Sequence, residues 1–187
     1  MDDDEARERF TALYDANRTH VWAYATCRVG RQHADEVVSD TFVVAWRRFA
    51  EIPEPALPWL VGVARNVARE RLRAEARRES VAAELRSLAS SPADPAADVS
   101  EAVTDRLEVL SALAELPEND REALILTAWQ GLSPREAALV VGSTPTAMRV
   151  RLHRARKRLA AELGAASRQQ ATERRAPIHA KIREEAS

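Results

Sequence analysis

The sequence predicts an all-α protein made of two small helical modules. Three observations carry that reading. Good helix formers (Ala, Leu, Arg, Glu) dominate, and only five glycines interrupt a chain of 187 residues that is 45% hydrophobic. The strand signature of β-branched residues alternating with polar ones is missing, and the valine clusters recur at helical steps. Between the two patterned halves lies a small, acidic, proline-bearing stretch of linker composition.

A first helix is expected from about Glu5 to Val29, with Phe10, Leu13, Tyr14, Val21, Trp22 and Ala25 at three- and four-residue steps and Gly30 closing it. A second starts near His33 and carries Val38, Phe42, Ala45, Trp46 and Phe49 on one stripe. Asp35 and Glu36 in its opening turn suit the positive end of the helix dipole. Residues Glu51 to Pro58 hold three prolines, a loop that continues neither helix. The third helix, from about Trp59 to Arg78, turns Leu60, Val63, Ala64 and Val67 inward and groups Arg65, Asn66, Arg69 and Arg73 on the other side. Cys27, the only cysteine, is expected to be a small buried hydrophobe and excludes an internal disulfide framework.

The second half opens with a helix through Leu107, Leu110 and Leu113 that stops at Leu116-Pro117, followed by another over roughly Glu118 to Gln130. Ser133 then reads as an N-cap, with Pro134 in the first turn and Glu136 completing Ser-x-x-Glu, a capping box. Gly142 ends that short helix, and Ser143 or Thr144 caps a longer basic one beginning at Pro145. A short helix, a tight glycine turn and a basic helix make a helix-turn-helix. The expected division is 5–80, a linker over 81–102, 103–163, and a polar tail over 164–187 that is either a frayed helix or disordered.

The net charge of −1 hides a strong pattern. Arg65 to Arg78 holds six arginines against Glu70 and Glu75, and Arg149 to Arg158 holds five arginines and Lys157 with no acid. Between them, Glu79 to Asp120 holds ten acids against Arg86 and Arg106. Two basic helical segments on either side of an acidic stretch point to two polyanion-facing surfaces. In the last helix Met148, Leu152, Ala155 and Leu159 repeat as a core stripe, which leaves Thr146, Arg149, Val150, His153 and Arg154 outside. An α-helix fits the major groove and its N-terminal half reaches base edges. Arg149 and Arg154 can fork onto guanine and Val150 can meet a thymine methyl, while His153 is either a DNA contact or plain solvent-exposed surface. Arg151, Arg156, Lys157 and Arg158 lie where phosphates are met.

Catalysis is not expected. The histidines make no ligand spacing, and there is no phosphate loop or nucleophile elbow, so neither a metal nor a cofactor is implied. Asp35, Glu36 and Asp40, flanked by Val37, Val43 and Val44, read as a protein-docking face. The start, Met1-Asp-Asp-Asp-Glu, is acidic where a secretory signal needs positive charge, and no 18-residue apolar run follows, so a cytoplasmic protein with no membrane partner is expected.

The segments Ala34-Asp-Glu-Val-Val-Ser-Asp-Thr-Phe-Val-Val-Ala-Trp46, Trp59-Leu-Val-Gly-Val-Ala-Arg-Asn-Val-Ala68, Leu116-Pro117, Arg121-Glu122, Gly131-Leu-Ser-Pro-Arg-Glu-Ala-Ala138 and Leu152-His-Arg-Ala-Arg-Lys-Arg-Leu159, in that order, resemble the extracytoplasmic-function (ECF) group of bacterial sigma factors. The resemblance covers roughly 8–78 and 103–163. It implies a sigma region 2 bundle of three to four helices and a sigma region 4 helix-turn-helix joined by a flexible acidic linker. It also implies a promoter-specificity subunit that works only within RNA polymerase. Asp35, Glu36 and Asp40 would then dock on the β′ clamp helices, with the β flap a second polymerase contact. Arg65, Asn66, Arg69 and Arg73 would hold the non-template strand of the −10 element, and Thr146 to Arg154 would read the −35 element. An anti-sigma factor is a further implied partner. Three positions depart from the pattern: Ser39 stands where the family often has glutamine, and Glu70-Arg71 where it usually has an aspartate and an aromatic, which shifts strand capture onto charge or Trp59. A stand-alone helix-turn-helix regulator, using the first module to dimerise or sense, is the alternative; it differs in whether Ala34 to Trp46 binds polymerase or its own copy.

Overall fold

The structure, a computed structural model, describes residues 3–86, 109 and 111–175. Every regular element among them is helical. Helix α1 is Asp3–Val29, α2 Arg31–Arg47 and α3 Ala56–Arg86, with a 3-10 turn at Phe49–Glu51. A short helical stretch over 111–115 (α4) precedes α5, Glu118–Leu124, which widens into a π turn at Ile125–Trp129. The hairpin that follows is α6, Pro134–Val141, and α7, Pro145–Arg175.

In the first module the three long helices pack mutually around Val21, Tyr24, Ala25, Val37, Phe42, Leu60, Val61, Ala64 and Ala68. Gly30 joins α1 to α2 at φ 77, a left-handed value that favours glycine, and its N–H still bonds Thr26 O at 3.1 Å. Aromatic edges finish the open end of the bundle: Phe10 meets Trp46 at 4.9 Å and Phe49 at 5.7 Å, and Tyr14 meets Phe42 at 4.6 Å.

Several expectations are corrected here. Helix α2 starts two residues before His33, so Asp35 and Glu36 fall in its second turn, where the dipole's pull has faded. Helix α3 starts inside the proline loop, because a proline in a first turn has no intrahelical N–H to lose, and Pro58 is accommodated there. Its buried stripe is Leu60, Val61, Ala64 and Ala68; Val63 and Val67 are half-buried at its edge. Trp46 is 45% exposed, its ring resting on Phe10 at the rim. Cys27 is exposed, about a third of a turn away from the stripe of Val21, Tyr24, Ala25 and Val29.

The second module buries Leu124, Ile125, Leu126, Leu132, Ala137, Ala138, Met148, Leu152 and Ala155, with Leu159 partly buried. Its caps follow the chemistry of the chain. Ser133 Oγ accepts from Glu136 N at 3.3 Å while Glu136 Oε2 accepts from Ser133 N at 2.8 Å, a reciprocal capping box. Gly142 takes the left-handed conformation, φ 68 and ψ 41, that ends α6. Thr144 rather than Ser143 caps α7, its Oγ1 accepting from Ala147 N at 3.1 Å. The helix then runs through Gly164 to Arg175; of the expected linker 81–102, residues 81–86 continue α3, while 87–102, like 176–187, Leu107 and Leu110, lie outside the described residues.

The modules touch. Helix α3 packs on α6, and α1 approaches the π turn, so buried side chains of both halves form one connected cluster.

Candidate nucleic-acid interface

Three buried residues fix the roll of α7 and so decide which side chains face out. Met148, Leu152 and Ala155 are buried to within 1% and point α7 at α5 and α6. That leaves Thr146, Arg149, Val150, His153, Arg154, Arg156, Lys157 and Arg158 exposed along the outer face, with Arg151 at its edge. Val150 is 46% exposed, a cost in water that a methyl-bearing base edge would relieve. Arg158 donates to Asp120 on α5, so that cation is held at the surface by a fixed acid. A shallow concavity lined by Thr144, Thr146, Val150, Arg151 and Arg154 lies at the start of the helix, where a recognition helix meets bases.

The four candidates on α3 divide. Arg73 is exposed and Arg69 half-buried. Arg65 is turned toward the second module, where it grips Glu122 with both prongs of its fork, Nε to Oε1 at 2.8 Å and Nη2 to Oε2 at 3.1 Å. Asn66 is exposed in a cleft between the modules, lined by Trp59, Gly62 and Val63 from α3 and by Glu136, Leu139 and Val140 from α6. Trp59 is half-buried, with the Arg48 guanidinium 5.8 Å from its ring.

Sequence reasoning missed the group around Glu122. Tyr24 Oη donates to Glu122 Oε1 at 2.9 Å, and Arg28 Nη2 donates to Glu118 Oε1 at 2.6 Å. The Glu122 side chain is 3% exposed and that of Arg65 13%. Burial, and then the negative charge of Glu122, push the Tyr24 phenol far above its ordinary value of 10, so it keeps its proton and donates. Burial draws the Arg28 guanidinium down, but its hydrogen bond to Glu118 and the nearby negative groups more than offset that. The same hydrogen bond holds the Glu118 carboxyl below the ordinary 4.5. A signal existed: Glu122 falls in step with Leu126 on a buried helical stripe, where an acid demands a partner.

On α2, Asp40 is exposed, and Asp35 accepts from Trp22 Nε1 at 3.0 Å. Glu36 pairs with Arg71, so the arginine at a position where an aromatic was expected ties α2 to α3. Asp35, Ser39, Val43 and Trp46 share an open groove with Phe10 and Tyr14 from α1. Val43 and Trp46 are each 45% exposed there, an apolar strip beside acids. Among the described residues no group of three or more His, Cys, Asp and Glu is placed to hold a metal ion, and no helix is long and apolar enough to cross a membrane.

Fold and surface together define a two-module helix-turn-helix protein with a separate acidic-apolar groove on α2. Comparison with known proteins gives the family. Residues 13–78 match the model of Sigma-70 region 2 and residues 106–159 that of Sigma-70 region 4. The chain is 30% identical to the ECF RNA polymerase sigma factor SigL of Mycobacterium tuberculosis over 146 residues, covering 76% of this chain and 81% of that one. It is 33% identical over 135 residues to the probable RNA polymerase sigma factor RfaY of Xanthomonas campestris, covering 70% of this chain but only 34% of that longer protein. Its fold is similar to that of CnrH, solved in complex with the cytosolic domain of CnrY, with a TM-score of 0.62, 27% identity and coverage of 85% and 90%. The chain belongs to the ECF group of RNA polymerase sigma factors.

Proposed function

We propose that the chain directs core RNA polymerase to promoters by three surfaces: Asp35, Glu36 and Asp40 with the Val43–Trp46 strip on the β′ clamp helices, the outer face of α7 on the −35 duplex, and Arg65, Asn66, Arg69 and Arg73 on the −10 strand. The supporting observation is the outer face of α7, where base-reading and phosphate-meeting cations stand exposed with no acid between Arg149 and Arg158. Phosphate neutralisation supplies affinity and Arg149, Val150 and Arg154 supply choice. The β flap and an anti-sigma factor are the further partners, the cytoplasm the compartment, and catalysis is left to the polymerase. Run-off transcription with purified core polymerase on a fragmented genomic library tests this reading. Discrete transcripts sharing two upstream elements are expected, whereas a chain that never associates with core polymerase refutes it.

A further inference from the structure

We infer that Asp120 of α5 is a positioning residue for DNA: it holds Arg158 of α7 over one flank of that helix, so that a backbone phosphate meets a guanidinium already fixed in place. The inference rests on the proposed assignment of α7 to the −35 duplex, and it adds a residue that touches no DNA itself.

Two observations carry it. The first is where the flank lies. At about 100° per residue, with Met148, Leu152 and Ala155 turned inward, Val150 and His153 point outward. Arg151 and Arg158 share the side that faces α5, and Arg154 lies between the two sets. These three arginines line one concavity with Thr144, Thr146 and Asp120. A helix about 10–12 Å across fills a major groove about 12 Å wide, so bases lie beneath its outer face and a phosphate backbone runs along each flank. Cations on the α5 side are therefore set for phosphate oxygens.

The second is the order of burial. The Asp120 side chain is 11% exposed and that of Arg158 54%, and the bond between them runs from Nη1 to Oδ2. The acid stands behind and the cation in front. A phosphate arriving from solvent thus reaches the guanidinium, which has further N–H groups to donate, before it reaches the carboxylate. Asp120 lies in the first turn of α5, and that helix packs on α7, so the acid is anchored by the core of its own module. An arginine loose in solvent gives up many rotamers when it grips a phosphate. One already bonded to a fixed acid gives up fewer, and it keeps its positive charge.

The test uses the full chain with Asp120→Asn, Arg158→Ala and the double variant, and circular dichroism checks that helix content is kept. Fluorescence anisotropy follows binding to a fluorescein-labelled, mixed-sequence duplex of about 30 base pairs over a range of salt, with and without core polymerase; phosphates are alike on every sequence. Arg158→Ala should weaken binding about tenfold and lower the salt slope by about 0.9, the value of one phosphate. Asp120→Asn removes a negative charge beside the DNA, which by charge alone would tighten binding. A loss of about fivefold is expected instead, the cost of one long side chain ordered only on contact. The double variant should bind no more weakly than Arg158→Ala. Tighter binding by Asp120→Asn, with a steeper slope, would make the acid a competitor of phosphate and overturn the positioning role. Unchanged binding, or losses that add, would overturn it as well. If Asp120→Asn loses helix, NMR of the arginine side-chain nitrogens decides on the wild type. A hindered guanidinium in the DNA-free chain, assigned by its loss in Arg158→Ala, is expected, and a freely rotating one sinks the idea. Wild-type binding separates the two readings. If neither the chain nor its complex with polymerase binds duplex, the −35 assignment falls and the positioning role with it; if both bind and Arg158→Ala changes neither affinity nor slope, the positioning role alone is wrong.

Discussion

Arg149 is one position past Met148, and that single step of about 100° moves a side chain from full burial to the exposed face. Its long fork lies in the first turn and a half of α7, and the proposed reading puts it on a base edge rather than the backbone. Arg149→Ala should therefore change which promoters are used, at a cost of about 1–3 kcal/mol at one matched base pair. Electrophoretic mobility shifts against a panel of −35 variants would show this, and equal weakening on every sequence would make Arg149 a phosphate contact. The same residue scale marks what a sequence can disclose. Met148, Leu152 and Ala155 were legible because their spacing matches one face of one helix. Trp46 and Cys27 were not, since periodicity names a stripe but its width depends on how closely the neighbouring helix covers the edge. The burial of Glu122 was legible from its step with Leu126, but its partners were not: they lie 57 and 98 residues away, and no local pattern carries that pairing.

At the scale of the element, the α6–α7 hairpin was nearly complete in the chain itself, because each boundary has its own local chemistry: Ser133 with Glu136, Gly142, and Thr144 before Pro145. Ser133→Ala should lower stability by about 1 kcal/mol in urea denaturation at neutral pH. Hydrogen bonds from Ser133, side chain first and then backbone, hold the Glu136 carboxyl below its ordinary 4.5. That contribution is present above pH 4.5 and is lost as pH falls through the lower folded value. The gap between wild type and Ser133→Ala should accordingly narrow on acidification below about pH 4; a gap that stays constant would show that the carboxylate adds nothing to the cap. Helix α3 was less legible at its start, where Pro58 looked like a breaker and proved to be a first-turn residue.

For the whole molecule, the acidic-apolar face of α2 and the basic outer face of α7 belong to different modules, so the roles proposed for them can be separated by mutation. Asp40 is exposed and is not among the partners of Glu122, and its replacement should spare the fold. Asp40→Arg in the full chain should abolish run-off transcription while leaving its binding to a −35 duplex intact, and undiminished transcription would remove Asp40 from the polymerase contact. The two modules and their order were readable from composition and charge. Their contact was not, because it depends on a few paired groups in helices that each look self-sufficient.

The π turn at Ile125–Trp129 has its own consequence. Gln130 N–H reaches back five residues to Ile125 O at 3.1 Å, so this turn holds one residue more than an α turn would. The surplus acts as slack in a mechanical joint. Excising Ala128 would take up that slack and leave an ordinary α turn, so what lies downstream keeps close to its present heading instead of swinging by the roughly 100° that a residue lost from a regular helix would cost. The α6–α7 hairpin thus tolerates a length change some twenty positions before Arg149 without being re-aimed.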